Sequence, residues 1–88
     1  MHTPPEWAAA WQPHVPAPAG RLLEYLADQA TPTGRVARLQ RLDAVAVCEG
    51  PTSLGTLRSV GYWLHQLHRL ELVHPQGRAW QLHLERLP

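Results

Sequence analysis

The sequence predicts a mainly α domain closed by a small β-hairpin, and three observations point to it. Up to Leu70 the apolar positions of residues 51–84 recur at helical spacing, whereas by Trp80 they fall on every second residue. Between the two stretches, Pro75-Gln76-Gly77 carries turn chemistry. Upstream lie two further helical patterns. Leu22, Leu23, Tyr25 and Leu26 are apolar with Glu24 and Asp28 outward over residues 21–29, and Val36, Leu39, Leu42, Val45, Ala46 and Cys48 form a broad stripe over residues 35–49. Three helices and a hairpin therefore make one connected unit.

The helix over residues 53–70 is the most informative element. Gly50-Pro51 ends what precedes it, and Thr52 or Ser53 can cap it. With Arg58 at zero and about 100° added per residue, Val60, Trp63, Leu64, Leu67 and Leu70 fall on one side as a core stripe. Arg58, Tyr62, His65 and Arg69 recur along the other side. Two guanidinium groups, a phenol and an imidazole on one ridge can reach phosphates or base edges from a major groove. A solvated face is the alternative, although the Glu and Lys pairs usual on such faces are missing from this ridge.

Past the helix, the expected strands are Leu72-Val73-His74 and a second one in which Trp80, Leu82 and Leu84 point to one face and Gln81 and His83 to the other. Arg78 sits just beyond the expected tip, where a basic side chain can touch a backbone phosphate.

The run SVGYWLHQLHRLELV resembles the recognition helix and first wing strand of winged helix-turn-helix proteins, with Val60, Leu64, Leu67, Leu72 and Val73 at that family's apolar spacings. Gly77 and Trp80 stand where a wing tip and an aromatic strand residue commonly occur, and Glu71 stands where the family often has Gly. The resemblance covers residues 22–84 and is sharpest from Ser59 onward. It implies a three-helix winged helix-turn-helix core over residues 21–85. It also implies a short strand in the break after the first core helix, paired with the wing. Z-DNA-binding winged helices carry Asn and Tyr where this chain has Gly61 and His65, so their activity is not carried over.

Eighty-eight residues make one small domain, able to bury about 60–65% of its unfolded surface. A large catalytic cleft is hard to fit beside such a core. Net charge is only +1, but it is unevenly spread. Residues 1–50 carry four Arg against five acids, net −1, and residues 51–88 carry four Arg against two acids, net +2. His65, His68, His74 and His83 also lie in the second half, so the helix and wing form the positive end. There is no Lys; codon bias in a GC-rich genome accounts for most of that, while Arg is also the better bidentate partner for guanine and phosphate. Arg35, Arg38 and Arg41 recur every third residue as a basic edge, read as solvated in preference to flanking a phosphate backbone. The single Cys48 excludes an internal disulfide and suits a reducing compartment. Neither a signal peptide nor a membrane-spanning run is recognised, so the expectation is a soluble, cytoplasmic protein with no membrane partner.

Residues 1–20 read as an N-terminal short helix and a Pro-rich arm. Thr3-Pro4-Pro5-Glu6 has the residues of a capping box, and the helix it opens sets Trp7 and Trp11 four apart on one face. That face either packs against the domain's own helices or serves as a partner-binding or dimerisation surface. Residues 12–20, with three prolines, are expected to be extended, in part polyproline II. Thr31-Pro32-Thr33-Gly34 breaks the chain, Thr33 can cap a following helix, and Asp43 can restart one. The expected core is Leu22, Leu26, Val36, Leu39, Val45, Val60, Leu64, Leu67, Leu72, Val73, Trp80 and Leu82, with residues 85–88 frayed.

No Gly-rich phosphate loop, paired Cys motif or H-E-x-x-H pattern occurs, and Ser53, Ser59 and Cys48 lack a base at any recognised spacing, so no enzyme activity, cofactor or metal is assigned. His65 and His68 are close enough on a helix to share a metal ion, with His74 or His83 to complete a set, but surface or DNA-facing histidines are preferred. The reading that follows is a small prokaryotic-type winged-helix regulator of transcription binding double-stranded DNA. Arg58, Ser59, Tyr62, His65, Gln66, Arg69 and Arg78 would form its interface, as a homodimer on a two-fold operator. The alternative is a winged-helix adaptor that binds a protein partner through the same helix or through Trp7 and Trp11.

Overall fold

The computed structural model describes residues 3–37 and 57–88, with the side chains of 57–59 outside that description. In chain order the elements are α1 (Pro4–Trp11), a 3₁₀ turn (Gln12–His14), α2 (Ala17–Gln29), β1 (Arg35–Val36), α3 (Leu57–Arg69), β2 (Val73–Gln76) and β3 (Ala79–Leu82). The described residues thus hold three α-helices and a small antiparallel sheet in the order β1-β3-β2. Leu39 and Val45 of the expected core, the basic edge at Arg38 and Arg41, the restart at Asp43, Cys48 and the cap at Thr52 or Ser53 all lie outside the described residues.

α1 starts as its sequence indicates. Thr3 is extended, its Oγ1 accepts from the Glu6 backbone N–H at 3.3 Å, and Pro4 and Pro5 occupy first-turn positions whose N–H groups have no helical acceptor. Pro4, Trp7 and Ala8 form the buried stripe. The following segment corrects the expected extended arm. The chain turns once as a 3₁₀ helix, and α2 is already helical from Ala17, four residues before the expected start at Arg21. Proline is compatible with a first helical turn, so Pro18 helps to open α2. The Gln12 carboxamide locks the bend by donating to Ala8 O (3.3 Å) and Gly20 O (2.8 Å), and a Cβ on Gly20 would collide with it. Residues 3–20 are therefore packed into the domain.

Thr33 does not cap a helix. Gly34, at φ 88°, turns the chain so that its carbonyl accepts from Leu82 N–H at 2.8 Å, and Arg35–Val36 pairs with β3 as Arg35↔Gln81 and Val36↔Trp80. The first residues of the expected 35–49 helix are thus an edge strand.

α3 buries Val60, Leu64 and Leu67 and half-buries Trp63, as its stripe predicts, but Leu70 is 45% exposed. The helix ends one residue before Leu70 in a Schellman turn. Glu71 N–H donates to His68 O (2.9 Å), Leu72 N–H donates to Leu67 O (3.1 Å), and Glu71 takes φ 62°. Leu72 swings into the core in place of Leu70, where it and Leu67 are both fully buried. A leucine so placed contributes about 2–5 kcal/mol over alanine.

The hairpin turn is Gly77-Arg78, not Pro75-Gln76-Gly77, because Gln76 pairs with Ala79. Gly77 has φ 63° and occupies the first loop position, as a tight two-residue hairpin requires. Pro75 is tolerated inside β2 because β2 is an edge strand. Val36, Val73 and Leu82 point into the core with Trp80 half-buried beside them, while His74, Gln81 and His83 lie on the opposite side.

The core takes in Trp7, Ala8, Ala19, Leu23 and Ala27 besides the expected Leu22, Leu26, Val36, Val60, Leu64, Leu67, Leu72, Val73 and Leu82. The C-terminal tail is held down, contrary to the expected fraying: Arg86 O accepts both indole N–H groups, from Trp7 at 2.8 Å and Trp11 at 3.1 Å, and Arg86 Nη1 meets Glu71 Oε2 at 2.9 Å.

A non-glycine residue in the left-handed region carries about 1–2 kcal/mol of strain, whereas an exposed ion pair such as Arg86–Glu71 contributes about 0–1 kcal/mol. Glu71→Gly should therefore raise the unfolding free energy by about 0.5–1 kcal/mol in urea titration, and Glu71→Val should lower it. A Gly variant less stable than the parent would show that the ion pair outweighs the strain.

Candidate nucleic-acid interface

The polar ridge of α3 is uncovered where it is described. Tyr62 is 55% exposed, His65 and Arg69 are exposed, and Gln66 is half-buried at the border with the core stripe. The Tyr62 ring stands edge-on to Trp63, with centroids 4.8 Å apart and planes at 81°, so a half-buried indole backs the exposed phenol. α3 carries Arg58 and Ser59 in its first turn, but their side chains lie outside the described residues. Arg78 is exposed in the hairpin turn, as the sequence predicts. Among the described residues neither Arg69 nor Arg78 has a carboxylate partner, whereas Arg86 is engaged by Glu71. Two unpaired guanidinium groups, one on the helix and one on the hairpin tip, remain free to meet an anion.

Beside the ridge lies a groove of about 720 Å³ between the C-terminal half of α3 and the hairpin. His65, His68 and Arg69 line it from the helix, His74 from β2, and His83 with Arg86 from the segment after β3. The hairpin register brings two of these rings together. His74 pairs with Gln81, and His83 lies two residues further on the same face, with His83 N–H donating to Leu72 O at 2.9 Å to extend the ladder. His74 Nδ1 and His83 Nε2 are in hydrogen-bond contact, with ring centroids 4.7 Å apart. Gln76 Nε2 lies 3.1 Å from His74 Nε2. With that amide donating, neutral His74 keeps its proton on Nδ1 and gives it to His83 Nε2, which puts the His83 proton on Nδ1. Among the described residues no group of three or more His, Cys, Asp or Glu is placed to hold a metal ion, so the helix pair His65/His68 and the hairpin pair do not join into a ligand set.

Trp7 and Trp11 are not on a free arm. Trp7 is fully buried, Trp11 is half-buried against the core, and both indoles are satisfied by Arg86 O, so the pair packs against its own chain. The sequence reading did not foresee the His74–His83 contact or the Glu71–Arg86 pair. Centring the turn on Gly77-Arg78 would have revealed the first, because that register sets position 74 diagonally opposite position 83.

No family model, curated protein or solved structure matches the chain. Among the described residues, no helix is long and apolar enough to cross a membrane.

Because Tyr62 and Arg69 are exposed and away from the core, Tyr62→Ala and Arg69→Ala should each change the unfolding free energy by no more than about 0.5 kcal/mol. A larger loss in urea titration would give these side chains a role in holding the fold.

Proposed function

We propose that this chain is a small winged-helix DNA-binding protein that regulates transcription, reading duplex DNA with α3 and touching the backbone with the hairpin as a wing. The observation that carries the reading is the exposed ridge of Tyr62, His65 and Arg69 on α3 together with a second exposed guanidinium, Arg78 at the hairpin tip, neither Arg69 nor Arg78 meeting a carboxylate among the described residues. The sheet order supports it, since a short strand from the break after α2 pairs with the second hairpin strand, as the winged-helix resemblance implies. So does the left-handed exit at Glu71, the place where that family often has Gly. In this reading Tyr62, His65, Gln66 and Arg69 enter or border the major groove, with Arg58 and Ser59 at the start of the same helix, and Arg78 takes a phosphate. The protein is a binding module, not an enzyme, and acts as a homodimer on a two-fold site.

A second reading is a protein adaptor using α3. Exposed Tyr62 and Leu70 and the net charge of only +1 favour it. Trp7 is fully buried and Trp11 half-buried, so α3 offers this reading more accessible surface than the Trp7 and Trp11 pair does.

Salt separates the two. Affinity for random duplexes, followed by fluorescence anisotropy, should fall steeply from about 50 to about 200 mM salt, and Arg69→Ala should reduce the log–log slope by about one. An apolar protein interface responds little to salt. If no duplex is retained even at low salt, the adaptor reading replaces this one.

A further inference from the structure

The groove between the end of α3 and the hairpin holds four of the chain's six histidines, more than a duplex-reading helix needs. Its other charged groups cancel. Arg69 and Arg86 are balanced by Glu71 and Glu85, so the lining is neutral when its imidazoles are neutral and gains one positive charge with each proton it binds. The rings of His74 and His83 share one hydrogen bond. One imidazolium donating from His74 Nδ1 to neutral His83 Nε2 is a charge-assisted hydrogen bond, with Gln76 turned to offer its oxygen to His74 Nε2–H. His65 and His68 face the same space from the helix. Arg86 is paired with Glu71, and among the described residues Arg69 has no carboxylate partner. Imidazole and guanidinium groups from a helix, a strand and the tail therefore line an open groove whose volume falls within the range of small-ligand sites.

We propose that this groove is a phosphate-group site whose affinity is set by protonation of His65, His68, His74 and His83. A phosphate fits better than a single carboxylate, because its oxygens accept in several directions at once and can meet donors on three elements. The source is either a free polyphosphate compound or a nucleic-acid backbone. The site shares His65 and Arg69 with the ridge assigned above to duplex DNA, but it needs the groove and not a helix in the major groove.

The test is titration of tripolyphosphate into the full chain at about pH 5.8 and about pH 8, at constant low ionic strength, read by imidazole proton resonances. At the lower pH the four groove histidines should shift in a saturable way while His14, exposed on the 3₁₀ turn, stays still. Affinity should be roughly tenfold or more weaker at the higher pH. Phosphate itself loses charge on acidification, so that gain can come only from the protein. His74→Gln with His83→Gln should weaken binding roughly fivefold or more at the lower pH. The Trp7 indole proton, bonded to Arg86 O, reports whether that variant is folded. If it is not, His65→Gln with His68→Gln, on the exposed helix face, serves in its place and should weaken binding similarly.

Duplex DNA that displaces tripolyphosphate identifies the source as nucleic-acid backbone. Duplex that binds without displacing it identifies a free polyphosphate. Duplex that does not bind at all retires the DNA reading and leaves this site standing. Equal affinity at the two pH values, shifts extending to His14, or unchanged affinity in the folded variant would each overturn the proposal. So would zinc ions moving the four rings saturably where tripolyphosphate does not.

Discussion

One residue, Glu71, sets the geometry of the C-terminal half. Its left-handed φ of 62° turns the chain off α3, so that Leu72 drops into the core and Val73 starts the edge strand on the correct face. A different exit would rotate the hairpin about the helix end and take its apolar face off the core. The same residue then ties the turn to the tail, since its carboxylate meets Arg86, whose carbonyl accepts both Trp7 and Trp11 indoles. The two termini of the described chain and the helix exit are thus joined through a single residue. The strained conformation persists because the Schellman bonds, the buried Leu67 and Leu72 side chains and the ion pair all require it.

That frame decides which charges remain available. Arg86 is the structural cation, exposed but held by Glu71 and carrying the carbonyl that anchors α1. Arg69 lies two residues before Glu71 yet makes no pair with it, so among the described residues Arg69 on the helix and Arg78 at the hairpin tip are without a carboxylate partner. In a chain with so few charges, freeing two of them determines the local field more than the net value of +1 does.

Much of the fold was legible in the sequence where period and capping act locally. The α1 cap at Thr3, the end of α2 at Gln29, and the stripe Val60, Leu64, Leu67 follow from side-chain chemistry within a few residues. The misses are tertiary. Three prolines over residues 12–20 argue for an extended strap by composition, but Pro16 and Pro18 fall just before and just inside a helix start, where proline is harmless, and Gln12 closes the bend by reaching Gly20. The tail reads as frayed because nothing in Glu85-Arg86-Leu87-Pro88 announces a partner, and what fixes it is a carbonyl contacted from the other end of the chain. Of the candidate site, the exposure of Tyr62, His65, Arg69 and Arg78 was readable from helical phase and turn position, whereas the groove was not.

The reason the groove was hidden is register. A three-residue loop at Pro75-Gln76-Gly77 would set His74 opposite Arg78 and leave His83 across from nothing in β2. The observed two-residue loop at Gly77-Arg78 moves every cross-strand partner, setting His74 opposite Gln81 and diagonally beside His83. Gly77 distinguishes the two loops: the observed turn puts it at the first loop position with φ 63°, which a side-chain-bearing residue would resist. Pro75 is compatible with that register, because its missing N–H is harmless on the outer edge of β2 and its φ range fits extended backbone as well as a turn. A proline that reads as a turn residue thus lies within the strand, and the register that puts it there brings the two imidazoles into contact.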